Sequence, residues 1–169
     1  MNLLLKRTFL FLIPLLLQFQ SCGIYSFTGA SIPADMKTVS VQFFENSAPL
    51  VVPGLSQQFT EALKERIRNQ SSLSITRDNA DGNFEGRITD YSIRPVAVTG
   101  NEVAEATRIS ITVQVKFVNA LDNDLSFEAP FTRFKELAGS NVQAQEQTAI
   151  REINQLLTED IFNRAFANW

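Results

Sequence analysis

Apolar and polar residues alternate along this chain with two different periods, and the changes of period mark its elements. Val39, Val41 and Phe43 alternate with Ser40 and Gln42, the period-two pattern of a half-buried strand. From Leu55 the period lengthens: Leu55, Phe59, Ala62, Leu63 and Ile67 share one helical face, with Glu61, Lys64, Glu65, Arg66 and Arg68 opposite. This predicts an amphipathic helix of about four turns, closed by Asn69-Gln70-Ser71-Ser72. A short strand through Leu73 and Ile75 leads to Asp78-Asn79-Ala80-Asp81-Gly82, where the Asp-Gly pair predicts a hairpin.

The next strand starts at Phe84 and runs through Ile88 and Tyr91 to Ile93, and its apolar phase slips near Asp90, as a bulge requires. After a loop over residues 95–105, Ile109, Ile111, Val113, Val115 and Phe117 alternate with Ser110, Thr112, Gln114 and Lys116. One face of this strand is therefore dry and the other wet. Leu121-Asp122-Asn123-Asp124 turns the chain, and Phe127, Ala129 and Phe131 bring it back as an antiparallel partner. Ser140 with Gln143 has the form of a capping box. It opens a long final helix whose buried stripe is Ile150, Ile153, Leu156, Leu157, Ile161, Ala165 and Trp169. The expectation is an α+β fold of two layers, in the order β-α-β-β-β-α. A mostly antiparallel sheet of four to five strands carries both helices on one face and leaves a polar face outside.

The start of the chain breaks this picture. Lys6 and Arg7 precede a ten-residue run, 8–17, in which Thr8 is the only polar side chain. A helix crossing the hydrocarbon core needs about 20 apolar residues, so the run predicts a cleaved signal segment over residues 1–21. Phe19-Gln20-Ser21-Cys22-Gly23 follows directly and has the form of a lipobox, with small residues on both sides of the thiol. Cys22 is the only cysteine, so it has no disulfide partner within the chain. Lipidation at Cys22 explains its position, whereas a buried free thiol has no reason to sit at the end of an apolar leader. Stable attachment takes two or more acyl chains. Residues 22–36 then form a lipidated tether, apolar at Ile24, Tyr25, Phe27 and Ile32, and residues 37–169 form a single domain.

Composition narrows the chemistry. The 169 residues are 44% hydrophobic and 20% charged with net charge −3, and removal of Lys6 and Arg7 makes the remainder more acidic, so no polybasic patch for nucleic acid is implied. Histidine is absent, which excludes histidine bases and histidine-containing zinc sites, and no glycine-rich phosphate loop is present. Asp78, Asp81, Asp122 and Asp124 do not match the calcium-loop spacing and read as turn residues. Glu85 and Asp90 are the one carboxylate pair that a hydrolase could use. The expectation is a protein that is not an enzyme and that carries no cofactor or metal beyond the acyl modification at Cys22.

Arg87, Arg94, Arg108 and Lys116 lie on or beside the central strands. Facing outward, they suit phosphate groups of a lipid headgroup or sugar core, and the same pattern also suits a merely solvated face. Most of the eleven Phe after Cys22 fall at predicted core positions.

Taken as a set, residues 22–33 (CGIYSFTGASIP), 84–91 (FEGRITDY), 108–113 (RISITV) and 157–163 (LTEDIFN) resemble the Bacteroidetes branch of the LptE family of lipopolysaccharide-assembly lipoproteins. The resemblance spans essentially the whole chain after Cys22. It implies a sheet backed by two helices, an outer-membrane location on the periplasmic side, and a place inside the wide β-barrel LptD, assisting delivery of lipopolysaccharide to the outer leaflet. A polar barrel lumen would suit the Ser110, Thr112, Gln114 and Lys116 face. The alternative left open is a periplasmic lipoprotein that binds a lipid or other hydrophobic ligand between helices and sheet, independently of a barrel.

Overall fold

The computed structural model of the protein describes residues 32–96, 106–139 and 141–167. The signal segment, Cys22, most of the tether, the loop over 97–105, Ser140 and Trp169 lie outside the described residues. In chain order the elements are β1 (Thr38–Val41), β2 (Glu45–Asn46), α1 (Leu55–Gln70), β3 (Ser74–Thr76), β4 (Gly82–Val96), β5 (Ala106–Asn119), β6 (Phe127–Ala138) and α2 (Val142–Phe166). They build an α+β fold in which one mixed sheet, ordered β3-β1-β4-β5-β6 with β2 also on β4, carries both helices on one face.

The sheet holds six strands where four to five were expected, and part of it is parallel. β4 pairs antiparallel with β5, and β5 with β6, but β1 runs parallel to both β3 and β4, and β2 parallel to β4. Parallel neighbours need a crossover connection, which α1 supplies between β1 and β3. The hairpin expected at Asp81-Gly82 does not form, because β1 lies between β3 and β4. The Asp81 carboxylate instead accepts hydrogen bonds from the Lys37 and Thr38 backbone N–H groups, both at 2.8 Å, and from the Thr38 hydroxyl at 2.9 Å. These bonds fix the start of β1 to the start of β4. They hold the carboxyl below the ordinary aspartate value of 3.8, the Lys37 and Thr38 amides contributing most.

The first strand also ends sooner than its alternation suggests. Beyond Val41 the chain turns over: Phe43 is 59% exposed, and Phe44 is fully buried against Phe59, its backbone N–H donating to Thr60 Oγ1 at 3.1 Å. Gly86 makes room for this. A Cβ there would stand 2.7 Å from the Phe44 ring and 2.1 Å from the Gln114 carbonyl oxygen. The predicted bulge in β4 is present as a register shift between Ile88 and Asp90, which turns both Ile88 and Tyr91 inward. β4 continues through Pro95 to Val96, two residues into the loop that the sequence predicts over 95–105.

The dry face of β5, Ile109 to Phe117 at every second residue, meets Leu55, Phe59, Leu63 and Ile67 of α1 and Ile150, Ile153, Leu157, Ile161, Phe162 and Phe166 of α2 in one core. Phe84, Phe117 and Phe166 close one end of it, with ring centroids 4.6 to 5.9 Å apart. Two details of α2 differ from expectation. Asn141, not Ser140, caps it, its side-chain oxygen accepting from Ala144 N–H at 3.3 Å. Leu156 is exposed, and the buried stripe turns instead toward Asn154 and Thr158, on the flank that meets α1. Ala62 of α1 is only half-buried. The Tyr91 hydroxyl, buried under α2, donates to Glu146 Oε1 at 2.7 Å and ties that helix to β4.

Candidate functional site: the outer sheet face

Strand alternation sends every second side chain of β4, β5 and β6 away from the helices. The register assembles these into one face. Glu85 lies opposite Lys116, Arg87 opposite Gln114, Asp90 opposite Thr112, Ser92 opposite Ser110 and Arg94 opposite Arg108. From β6, Glu128, Pro130, Thr132, Phe134 and Glu136 complete the surface. All four cations singled out from the sequence, Arg87, Arg94, Arg108 and Lys116, therefore lie on the same face, spread along about 25 Å of strand at about 3.4 Å per residue.

Their surroundings divide them into two pairs. Lys116 Nζ donates to Glu85 Oε1 at 2.6 Å, and this bond, with the carboxylate charge, raises the ammonium pKa. Arg108 donates to Glu136 through Nε at 3.1 Å, and its guanidinium lies 4.2 Å from the centre of the Phe134 ring. Arg87 and Arg94 are exposed, and among the described residues no carboxylate stands within ion-pair distance of either. Arg94 also faces the like charge of Arg108 across the strand pair. An opposed pair of guanidinium groups is unfavourable in isolation and suits an anion placed between them. The centre of the face is neutral and hydroxyl-rich, with Thr112 and Thr132 in hydrogen-bond contact at 2.9 Å.

Three features of this face do not follow from the local sequence pattern. Alternation places Phe43 inward, yet it stands out; Phe134 is 49% exposed, beyond the Phe127-Ala129-Phe131 alternation that marks its strand. A shallow depression of about 480 Å³ lies over Gly86 between Phe43, Glu85, Arg87, Gln114 and Glu128. The exchange of Phe43 for Phe44 depends on where the chain leaves the sheet, which no local pattern reports.

The remaining candidates resolve differently. Glu85 is committed to Lys116, and Asp90 lies beyond the bulge on β4, five residues along the strand. Asp122 accepts from the Asp124 backbone N–H at 3.0 Å, which is turn chemistry. No cluster of three or more metal-ligating side chains occurs among the described residues. On the opposite side of the molecule a groove of about 660 Å³ runs between α1 and α2, lined by Gln58, Glu65, Arg66, Gln147, Arg151 and Asn154. Its lining residues are polar or charged apart from Ala62 and it lies outside the interface of helices and sheet, so it does not match a hydrophobic ligand site in the core. No helix among the described residues is long and apolar enough to cross a membrane.

A family model described as LptE, lipopolysaccharide-assembly, matches residues 36–165. Among solved structures, a hypothetical protein from Chlamydia trachomatis superposes with a TM-score of 0.51 at 14% identity, over 79% of this chain and 99% of that one. Rare lipoprotein B from Shewanella oneidensis superposes with a TM-score of 0.50 at 11% identity, over 75% and 92% of the two chains. At these identities the likeness is one of fold. Among curated proteins none matches the chain.

Proposed function

The chain belongs to the LptE family of lipopolysaccharide-assembly proteins, and from that premise we propose that it is a lipid-anchored outer-membrane assembly factor, held by acyl chains on Cys22. In this reading its partner is an LptD-type β-barrel, and its task is to assist delivery of lipopolysaccharide to the outer leaflet. Residues 1–21 are the cleaved leader, residues 22–36 the lipidated tether and residues 37–169 the working domain. The role is not catalytic. Binding and positioning do the work, and the energy for transport comes from elsewhere.

The observation that carries this reading is the division of the sheet into a helix-covered dry face and an open face on which Arg87, opposite Glu45, and Arg94, opposite Arg108, are exposed with no carboxylate within ion-pair distance among the described residues. Exposed guanidinium groups bind phosphate through paired, charge-assisted hydrogen bonds. The hydroxyl and carboxamide groups of Ser110, Thr112 and Gln114 can meet sugar hydroxyls or the polar lumen of a barrel. Depletion of the protein in its own cells tests the reading: surface lipopolysaccharide should fall, and a large barrel should co-purify with the detergent-extracted protein. A Cys22→Ser variant should fractionate with the soluble periplasm and fail to restore surface lipopolysaccharide. Normal surface lipopolysaccharide after depletion, with only free monomer in mild detergent, would overturn it.

A further inference from the structure

An exposed phenylalanine is ordinary on a protein surface, but Phe43 stands at the edge of a concavity whose other side chains are all polar or charged. The chain leaves the sheet after Val41, Phe44 drives into the core beneath Gly86, and Phe43 is left on the outer side, 59% exposed. Gly86, whose absent side chain would point inward at Phe44, lines the depression with backbone alone, and Glu85, Arg87, Gln114 and Glu128 stand around it. The Gln114 amide donates to Glu128 Oε1 at 3.2 Å, which holds both groups in place on the wall.

We propose that this depression is a subsite for a single neutral sugar ring, stacked on Phe43 and hydrogen-bonded through its hydroxyls to Glu85, Gln114 and Glu128. The assignment rests on the reading of the outer face as the lipopolysaccharide-contacting surface and specifies which part of that ligand it takes here. A sugar ring has an apolar face of C–H groups and a rim of hydroxyls, and the hollow offers an aromatic ring beside acceptors that can receive O–H donors. Charge decides against phosphate at this spot. The walls carry three carboxylates, Glu45, Glu85 and Glu128, against the cations Arg87 and Lys116, and Lys116 is already bound to Glu85. A phosphate would meet net negative charge in the hollow, and the opposed Arg94 and Arg108 offer it a better place further along the face.

The test uses the lipid-modified protein in detergent and the lipid-free oligosaccharide released from lipopolysaccharide by mild acid. Calorimetric titration should show binding by the natural protein, about tenfold weaker binding by Phe43→Ala, and restored binding by Phe43→Trp. Inorganic phosphate should neither compete for the oligosaccharide nor shift the Gly86 and Gln114 amide resonances. Because Phe43 is exposed, the variants should melt with the natural protein, which separates loss of the subsite from loss of the fold. Absence of oligosaccharide binding, equal binding by Phe43→Ala, or full competition by phosphate would overturn the assignment. So would a Phe43→Ala variant that loses only the barrel in co-purification, since Phe43 would then be a protein contact. Intact lipopolysaccharide, titrated against an Arg94→Glu variant outside the depression, reports on the broader reading separately: its loss there with Phe43→Ala unaffected would keep that reading and sink the subsite.

Discussion

Substituting Gly86 by Ala adds one methyl group at the point where β4, β5 and the Phe44 ring meet. The new Cβ would stand 2.1 Å from the Gln114 carbonyl oxygen and 2.7 Å from the Phe44 ring, against ordinary van der Waals contacts beyond 3.4 Å. The ring could swing away at modest cost, but the carbonyl belongs to the central ladder and can retreat only by parting β4 from β5. Overpacking of a core by a methylene costs about 1 to 3 kcal/mol, and the backbone clash puts this site at or above the upper end. With a urea m-value of about 2 kcal/mol/M, a loss of ~3 kcal/mol lowers the midpoint by roughly 1.5 M. Equilibrium urea unfolding of the leader-free protein, followed by far-UV circular dichroism, measures this directly. A double variant, Gly86→Ala with Phe44→Leu, should recover only the ring's share. A midpoint for Gly86→Ala within roughly 0.2 M of the natural protein, corresponding to less than about 0.5 kcal/mol, would refute the reasoning.

Other expectations follow from single contacts. Tyr91→Phe should lose about 1 to 2 kcal/mol in the same unfolding experiment, because it leaves Glu146 without the buried hydroxyl that ties α2 to β4. The Tyr91 phenol itself is pushed well above its ordinary range, by burial first and by Glu146 second, so its ionisation plays no part near neutral pH. Asp81 has a lower pKa folded than unfolded, so its contribution is full above the ordinary value of 3.8 and is lost as pH falls through the still lower folded value. Asp81→Asn should therefore weaken the protein at neutral pH and flatten the stability profile below about pH 4, as thermal melts across acid pH would record. Arg87→Glu combined with Arg94→Glu should weaken binding of intact lipopolysaccharide by roughly ten- to a hundredfold, with melting unchanged, because neither side chain is packed in the core.

Much of this fold is legible because β4, β5 and the two helices each have one dry side. The alternation from Ile109 to Phe117, the phase slip at Asp90 and, apart from Ala62, the helical stripe from Leu55 to Ile67 appear in the structure as expected. The parallel part of the sheet was not legible. Asp81-Gly82 carries a strong local turn signal, but its carboxylate binds backbone more than 40 residues earlier, at Lys37 and Thr38. β2 spans only Glu45–Asn46, too short to show a period. The exposure of Leu156 has the same origin, since the final helix is apolar or small on more than one side and only the position of α1 decides which flank is buried.

The candidate site divides along similar lines. Alternation puts Arg87, Arg94, Arg108 and Lys116 on or beside the central strands, and the register gathers them on one face. Which of them are paired depends on Glu85 and Glu136, two side chains brought alongside by neighbouring strands. The hollow at Gly86 could not be found from the sequence, because it requires Phe43 and Phe44 to exchange the roles that strict alternation assigns them.

The most direct measurement is site-specific photocrosslinking in living cells, with the reactive group placed at Thr112 in the centre of the outer face or at Glu65 on the exposed side of α1. If the open face of β4, β5 and β6 is the working surface, Thr112 should capture lipopolysaccharide or the barrel, and Glu65 should capture far less of either. Capture from Glu65 with none from Thr112 would contradict the account.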